Sequence, residues 1–218
     1  MQEQGYWAKY RGEKVEKAVF AAKKLFSANK IENVKMTDIA KECDIGVASL
    51  YRYFSTKEAI AIEVGKLWWR QIKEFLKPRF EKREFLEKNG IGRIEAILDA
   101  YSELFEKQRD FLLFLDDFDA FCLKENIAKE KLEEYQIETA DFYKPYAQAL
   151  RLGREDGSVR DGINEELTYL AVNHTMLALL RKAAEGKILT QDENYEAEIS
   201  LIKEIILSYF KTMGGNAK

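Results

Sequence analysis

The chain has 218 residues, 46% apolar and 33% charged, with only 2 prolines, 2 cysteines and a formal net charge of −3. That length suits one large domain, or a small domain joined to a larger one, with a sizeable core. No apolar run approaches the roughly 18 residues of a membrane span, the two cysteines, Cys43 and Cys122, suit reduced and mostly buried thiols with nothing to suggest a disulfide framework, and the opening MQEQGYW has no apolar signal core. The expectation is therefore a cytoplasmic, all-α protein with reduced thiols and no membrane contact.

Residues 11–28 predict a first helix, because Val15, Ala18, Val19, Ala22 and Phe26 recur on one helical face. After a polar break from Asn29 to Val34, Thr37 stands where a hydroxyl caps a helix start, and Asp38 adds negative charge to that first turn. The second helix is short, with Ile39, Ala40 and Cys43 turned inward, and Asp44 to Gly46 breaks it. A third short helix turns Val47, Leu50 and Phe54 inward. Ser55 and Thr56 end it, and Thr56 caps a long fourth helix that begins at Lys57-Glu58, passes Trp68 and Trp69 and kinks or ends at Pro78. Further helices are predicted over 90–107, 110–123, 128–155, 163–185 and 194–213. Gly90-Ile91-Gly92 is read as a helix start, since no strand precedes it.

Two short helices joined by a tight turn are a helix-turn-helix. In Thr37–Lys57, TDIAKECDIGVASLYRYFSTK, Ala40 is small where the helices cross, and Asp44 tolerates the positive φ of such a turn better than most residues. The outward face of the second short helix is small and polar: Gly46, Ala48, Ser49, Tyr51 and Arg52; Val47, though turned inward, is counted with them and with Thr37, Tyr53 and Lys57 as a DNA-binding candidate. Small residues allow close approach to base edges. Tyr51 and Tyr53 offer hydroxyls on rigid rings, and Arg52 reaches guanine acceptors or phosphate. Lys57, at a helix N-terminus, is expected at a phosphate. Charge is distributed accordingly: residues 1–60 hold 11 Lys/Arg against 8 Asp/Glu, and residues 61–218 hold 24 against 30.

The same segment resembles the DNA-binding domain of the tetracycline-repressor (TetR) family in Thr37, Ile39-Ala40, Leu50-Tyr51-Arg52-Tyr53-Phe54 and Lys57-Glu58, spaced as in that family. Asp44 stands where the family often has glycine, and Gly46 where it often has serine or threonine. Gly153-Arg154-Glu155-Asp156-Gly157 is similar to the junction before the family's eighth helix. The resemblance implies a DNA-binding domain over 1–56, with a phosphate contact from Thr37, and a helical ligand-binding and dimerisation domain over 57–218. It implies a homodimer on a pseudo-palindromic double-stranded operator and a repressor released by a small-molecule effector.

The second domain carries aromatics at near-helical spacing that most simply form core. An apolar or amphipathic effector would be lined by Trp68, Tyr101, Phe105, Phe114, Phe118, Phe142 and His174. His174, the only histidine, is read as a core or interface residue before a ligand. Asp116, Asp117 and Asp119 are read as a solvated face rather than a metal site. In the family the last two helices pair with their copies, and here each has an apolar stripe: Leu167, Leu170, Ala171, His174, Leu177 and Ala178 on one, and Ile199, Ile202, Ile205, Ile206 and Tyr209 on the other. No catalytic motif and no metal-ligand spacing is present, so neither an enzyme nor a cofactor is expected. The alternative is a helical small-molecule-binding protein without DNA-binding activity.

Overall fold

The computed structural model describes residues 2–140, 143–186 and 194–211. Its helices are α1 Gln2–Ala28, α2 Met36–Glu42, α3 Val47–Phe54, α4 Lys57–Glu81, α5 Arg83–Leu86, α6 Gly90–Lys107, α7 Arg109–Lys124, α8 Glu133–Ala140, α9 Tyr143–Glu155, α10 Glu165–Glu185 and α11 Tyr195–Phe210. Among the described residues an antiparallel bridge between Val159 and Lys211 is the sole extended pairing, so the all-α class expected from the sequence holds. No helix among them is long and apolar enough to cross a membrane. Both cysteines are free thiols.

Several boundaries differ from expectation: α1 begins at Gln2 rather than at residue 11, and the short α5 was not expected. The polar break after α1 contains a 3-10 turn, Ile31–Asn33, anchored by buried Ile31 and followed by buried Val34. Helix α4 continues through Pro78 to Glu81; the proline is exposed and three residues from the end, and its missing N–H forgoes the one bond to the Glu74 carbonyl. The helix expected over 128–155 is divided into a 3-10 turn at Lys129–Leu132, α8 and α9. Pro145 falls in the first turn of α9, where N–H groups have no intrahelical partner to lose. The expected end of the last helix, Met213, lies outside the described residues.

The chain forms two compact units. One comprises Met1–Gln71 with Leu113–Thr139, the other Ile72–Leu112 with Ala140–Lys218. In the first, α1 packs on α2 and α2 on α3. Their apolar faces meet as the periodicity requires: Ala18, Ala22, Ile31, Ile39, Ala40, Cys43 and Leu50 are all within 1% of complete burial.

In the second unit α6 packs against α9, α10 and α11. The closest crossing is glycine on glycine. A Cβ on Gly90 would lie 2.1 Å from both Cα and N of Gly153, which leaves no room for one. The segment after Gly153 then completes the N-terminus of α6. The Gly90 N–H donates to Asp156 Oδ2 at 2.8 Å, the Ile91 N–H to Ser158 Oγ at 3.0 Å, and the Gly92 N–H to Asn89 Oδ1 at 3.0 Å. Three otherwise unpaired donors of a helix start are thus satisfied. The Ser158 hydroxyl, with N–H groups of Gly90 and Ser158 behind it, holds the Asp156 carboxyl below its usual range. Because that value is depressed on folding, its contribution to stability is present at neutral pH and is lost as pH falls through it.

Candidate nucleic-acid interface

Helix α2 starts one residue before Thr37. Its N-cap is Lys35, whose backbone N–H donates to Asp38 Oδ2 at 2.9 Å. The expectation that Thr37 caps the helix is therefore corrected: the carboxylate three residues after the cap closes the turn, and Thr37 is left exposed on the first turn.

The α2–α3 turn is built by hydrogen bonds that end α2. The Ile45 N–H donates to Ala40 O at 3.0 Å and the Asp44 N–H to Lys41 O at 3.3 Å. This is the Schellman arrangement, which needs a residue at positive φ. Asp44 supplies it at φ 52°, and Ile45 is buried beside it. Aspartate in place of glycine is accommodated in the turn.

Helix α3 follows, with Gly46 at its N-cap. Leu50 is fully buried and Phe54 is 5% exposed. Val47, expected inward with them, is 39% exposed. The reason is local: Ile45, 6% exposed, supplies the buried apolar side chain at that end, and Val47 projects ahead of the core. Gly46, Val47, Ala48, Tyr51 and Arg52 are exposed, and Ser49 and Tyr53 are half-buried. The Arg52 guanidinium lies 5.6 Å from the centre of the Tyr53 ring. Neither the Tyr51 hydroxyl nor the Arg52 guanidinium has a hydrogen-bonding partner among the described residues. The small polar face anticipated from the sequence is thus assembled and open.

Lys57 is not on that face. Its Nζ donates to the carbonyls of Ile31 at 2.9 Å, Glu32 at 3.0 Å and Val34 at 3.3 Å, and lies 5.4 Å from the Phe121 ring centre. The ammonium is thus engaged by three backbone carbonyls, a structural role that the sequence did not suggest for Lys57. The same 3-10 turn is held from its other side by α7. The Ile31 N–H donates to Asp117 Oδ2 at 2.6 Å, and Lys124 pairs with Glu32 at 2.6 Å. Asp117 is therefore no solvated surface group; burial raises its carboxyl pKa. No metal-holding cluster occurs among the described residues. Sequence reasoning missed this clamp because its parts lie 23 to 92 residues apart. Replacing Lys57 by methionine keeps the aliphatic stem and leaves the three carbonyls without the ammonium. We expect it to lower unfolding stability by about 2 kcal/mol, read in urea denaturation; an unshifted midpoint would return Lys57 to the surface role.

The residues expected to line an effector pocket divide between the two units. In the first, Trp68 and Phe114 have ring centres 6.3 Å apart, Phe114 stacks on Phe118 at 5.5 Å, and Phe118 meets Tyr135 of α8 at 5.1 Å. Tyr135 was not anticipated. It lies against Gly65, where a Cβ would come within 2.8 Å of its ring, so a lone glycine inside α4 was the available signal. In the second unit the Tyr101 hydroxyl donates to Asn173 Oδ1 at 2.9 Å, and Phe105 is half-buried. His174 is exposed on α10, not enclosed. Phe142 lies outside the described residues.

The last two helices of the second unit leave an apolar face uncovered. On α10 Leu167, Leu170, Ala171, His174 and Ala178 are exposed and Leu177 is half-buried; on α11 Leu201, Ile205 and Tyr209 are exposed and Ile202 and Ile206 are half-buried. Ile199, expected on this stripe, is instead 3% exposed and belongs to the core, and Leu201 takes its place on the outer face.

Residues 19–64 match the family model described as bacterial regulatory proteins, tetR family. The chain is 23% identical over 187 residues to the HTH-type transcriptional repressor KstR2 of Rhodococcus jostii (strain RHA1), covering 84% of this chain and 86% of that protein. Its fold is similar to that of the ketosteroid transcriptional regulator KstR2 of Mycobacterium tuberculosis, with a TM-score of 0.57, 19% identity, and 94% and 96% of the two chains covered. It is also similar to the regulator FadR from Bacillus subtilis in complex with stearoyl-CoA, with a TM-score of 0.62, 16% identity, and 89% and 98% covered.

Proposed function

We propose that the chain is a ligand-responsive transcriptional regulator of the tetR family, whose model residues 19–64 match, and that residues 1–56 hold DNA and residues 57–218 bind an effector and dimerise. The observation that carries this reading is the open outer face of α3, set on a well-packed helix-turn-helix inside the matched segment. A helix with such a face lies in the major groove, its N-terminal residues toward base edges. Arg52 takes guanine acceptors or a phosphate, and Tyr51 takes a phosphate. Thr37, exposed on the first turn of α2, is a second phosphate candidate.

Action as a repressor released by ligand is supported by the likeness to a transcriptional repressor. An apolar or amphipathic effector is supported by the aromatic cluster of Trp68, Phe114 and Phe118 and by the stearoyl-CoA held by one protein of similar fold. The effector moves the equilibrium only by its differential affinity for the DNA-binding and released forms. A homodimer would place two α3 helices about 34–36 Å apart, one helical turn of DNA, or a multiple of it. The protein would act in the cytoplasm, as a regulator and not as an enzyme.

Binding to duplexes selected from random sequence, titrated between 50 and 200 mM salt, tests the DNA reading. A steep fall of affinity with salt is expected. A small-molecule-binding protein without DNA activity would enrich no sequence. Tyr51→Phe should weaken binding about fivefold per half-site, one hydrogen bond's worth, with its thermal midpoint unchanged. Equal affinity for the two proteins would remove Tyr51 from the contact set.

A further inference from the structure

We propose that Val47 is a specificity-determining residue that reads the 5-methyl group of a thymine in each half-site. The proposal rests on the DNA-binding reading above and goes beyond it in naming a base and the atom recognised.

Packing does not explain where Val47 stands. The core contacts of α3 are made by Leu50, fully buried, and Phe54, 5% exposed, and the place ahead of them is filled by Ile45. Val47 is a β-branched apolar side chain at the first residue of the helix, 39% exposed, with exposed Gly46 before it and exposed Ala48 after it. The backbone ahead of it is open, since a Cβ on Gly46 would meet nothing within 4 Å. Val47 and Tyr51 share one row of the helix surface, Ala48 and Arg52 the adjacent row. At 1.5 Å per residue, Val47 leads Tyr51 by about 6 Å along the axis. The polar side chains that can reach phosphate thus sit a turn behind the apolar one.

The chemistry then selects the base. Each base pair presents hydrogen-bond donors and acceptors in the major groove, and the thymine C5-methyl is the apolar group among them. Valine has no donor or acceptor to offer. Pressed against a purine edge or a cytosine amino group it would strip water from polar atoms without replacing the hydrogen bond, which is unfavourable. Pressed against a thymine methyl it buries apolar surface on both sides.

Deoxyuridine removes that methyl and leaves base pairing intact, so it isolates the contact. The full chain is measured against a duplex enriched from random sequence, with each thymine replaced in turn by deoxyuridine. One half-site position should weaken wild-type binding about fourfold, the worth of one buried carbon. Val47→Ala should bind the thymine duplex several-fold more weakly and lose its sensitivity to deoxyuridine at that position alone. Val47→Thr, nearly isosteric and retaining a methyl, should keep part of the discrimination. Sensitivity that persists unchanged in Val47→Ala, or no sensitive position in the wild type, overturns the thymine contact while leaving the DNA reading in place. Enrichment of no duplex defeats both.

Discussion

Gly90→Ala should be among the most destabilising single substitutions in the chain, at about 3–5 kcal/mol. The added methyl would sit 2.1 Å from Cα and N of Gly153 and 2.8 Å from the Ala149 carbonyl. These are backbone atoms of α9 and cannot swing aside as a side chain would. Relief requires α6 and α9 to separate, which opens the second unit around Ile94, Leu98, Ala149 and Leu150 and draws the Gly90 and Ile91 N–H groups away from Asp156 and Ser158. Gly12→Ala is the matched control. It makes the same chemical change inside α1, where a Cβ meets nothing within 4 Å, and should stabilise by up to about 1 kcal/mol through helix propensity. Thermal midpoints should therefore move in opposite directions, downward by about 10 °C for Gly90→Ala. A Gly90→Ala midpoint equal to that of the parent would mean that the two glycines are not in contact.

The difference between those glycines is not visible in the sequence, and it marks where sequence reasoning stops. Local chemistry was legible. Thr56 does cap α4, its Oγ1 accepting the Ala59 N–H at 3.3 Å, and Asp44 does adopt the positive φ of the turn. The span of α6 was legible too, because Gly90 to Lys107 carries a clear helical period. Side chains with a choice of partner were not. Asp38 and Thr37 both suit a first turn, and only the backbone path decides that the carboxylate closes it. Lys57 has the charge for a phosphate, but it meets the carbonyl end of a 3-10 turn that the polar break concealed. Val47 fits the inward period of α3, yet Ile45, outside the helix, already fills that end of the core. Periodicity assigns a face within one element; it does not say which neighbour reaches that face first.

The uncovered face of α10 and α11 supplies the other large expected effect. Leu167 and Leu201 are 63% and 57% exposed, Ile205 is 54%, and Leu170 and Tyr209 exceed 40%. Residues 201, 205 and 209 recur every fourth position and 167, 170, 171, 174 and 178 follow the three-four alternation, so each helix presents one continuous apolar stripe. A second copy of the same face would cover it with matching chemistry, and a two-fold axis would make every substitution appear twice in the contact. Leu201→Glu with Ile205→Glu would place four carboxylates in that contact, each to be desolvated without a partner. Both positions are exposed within their own unit, so the helices themselves should stay folded. The expected outcome is a dimeric parent and a monomeric double variant by light scattering at micromolar concentration, with unchanged helical circular dichroism. Two linked α3 helices bind two half-sites with an avidity gain of about 100-fold or more, and the double variant should forfeit that gain on a two-site duplex. On a single half-site parent and variant should bind alike, because α3 is untouched. A parent that is monomeric at that concentration, or a double variant that still dimerises, would place the contact between copies elsewhere on the molecule.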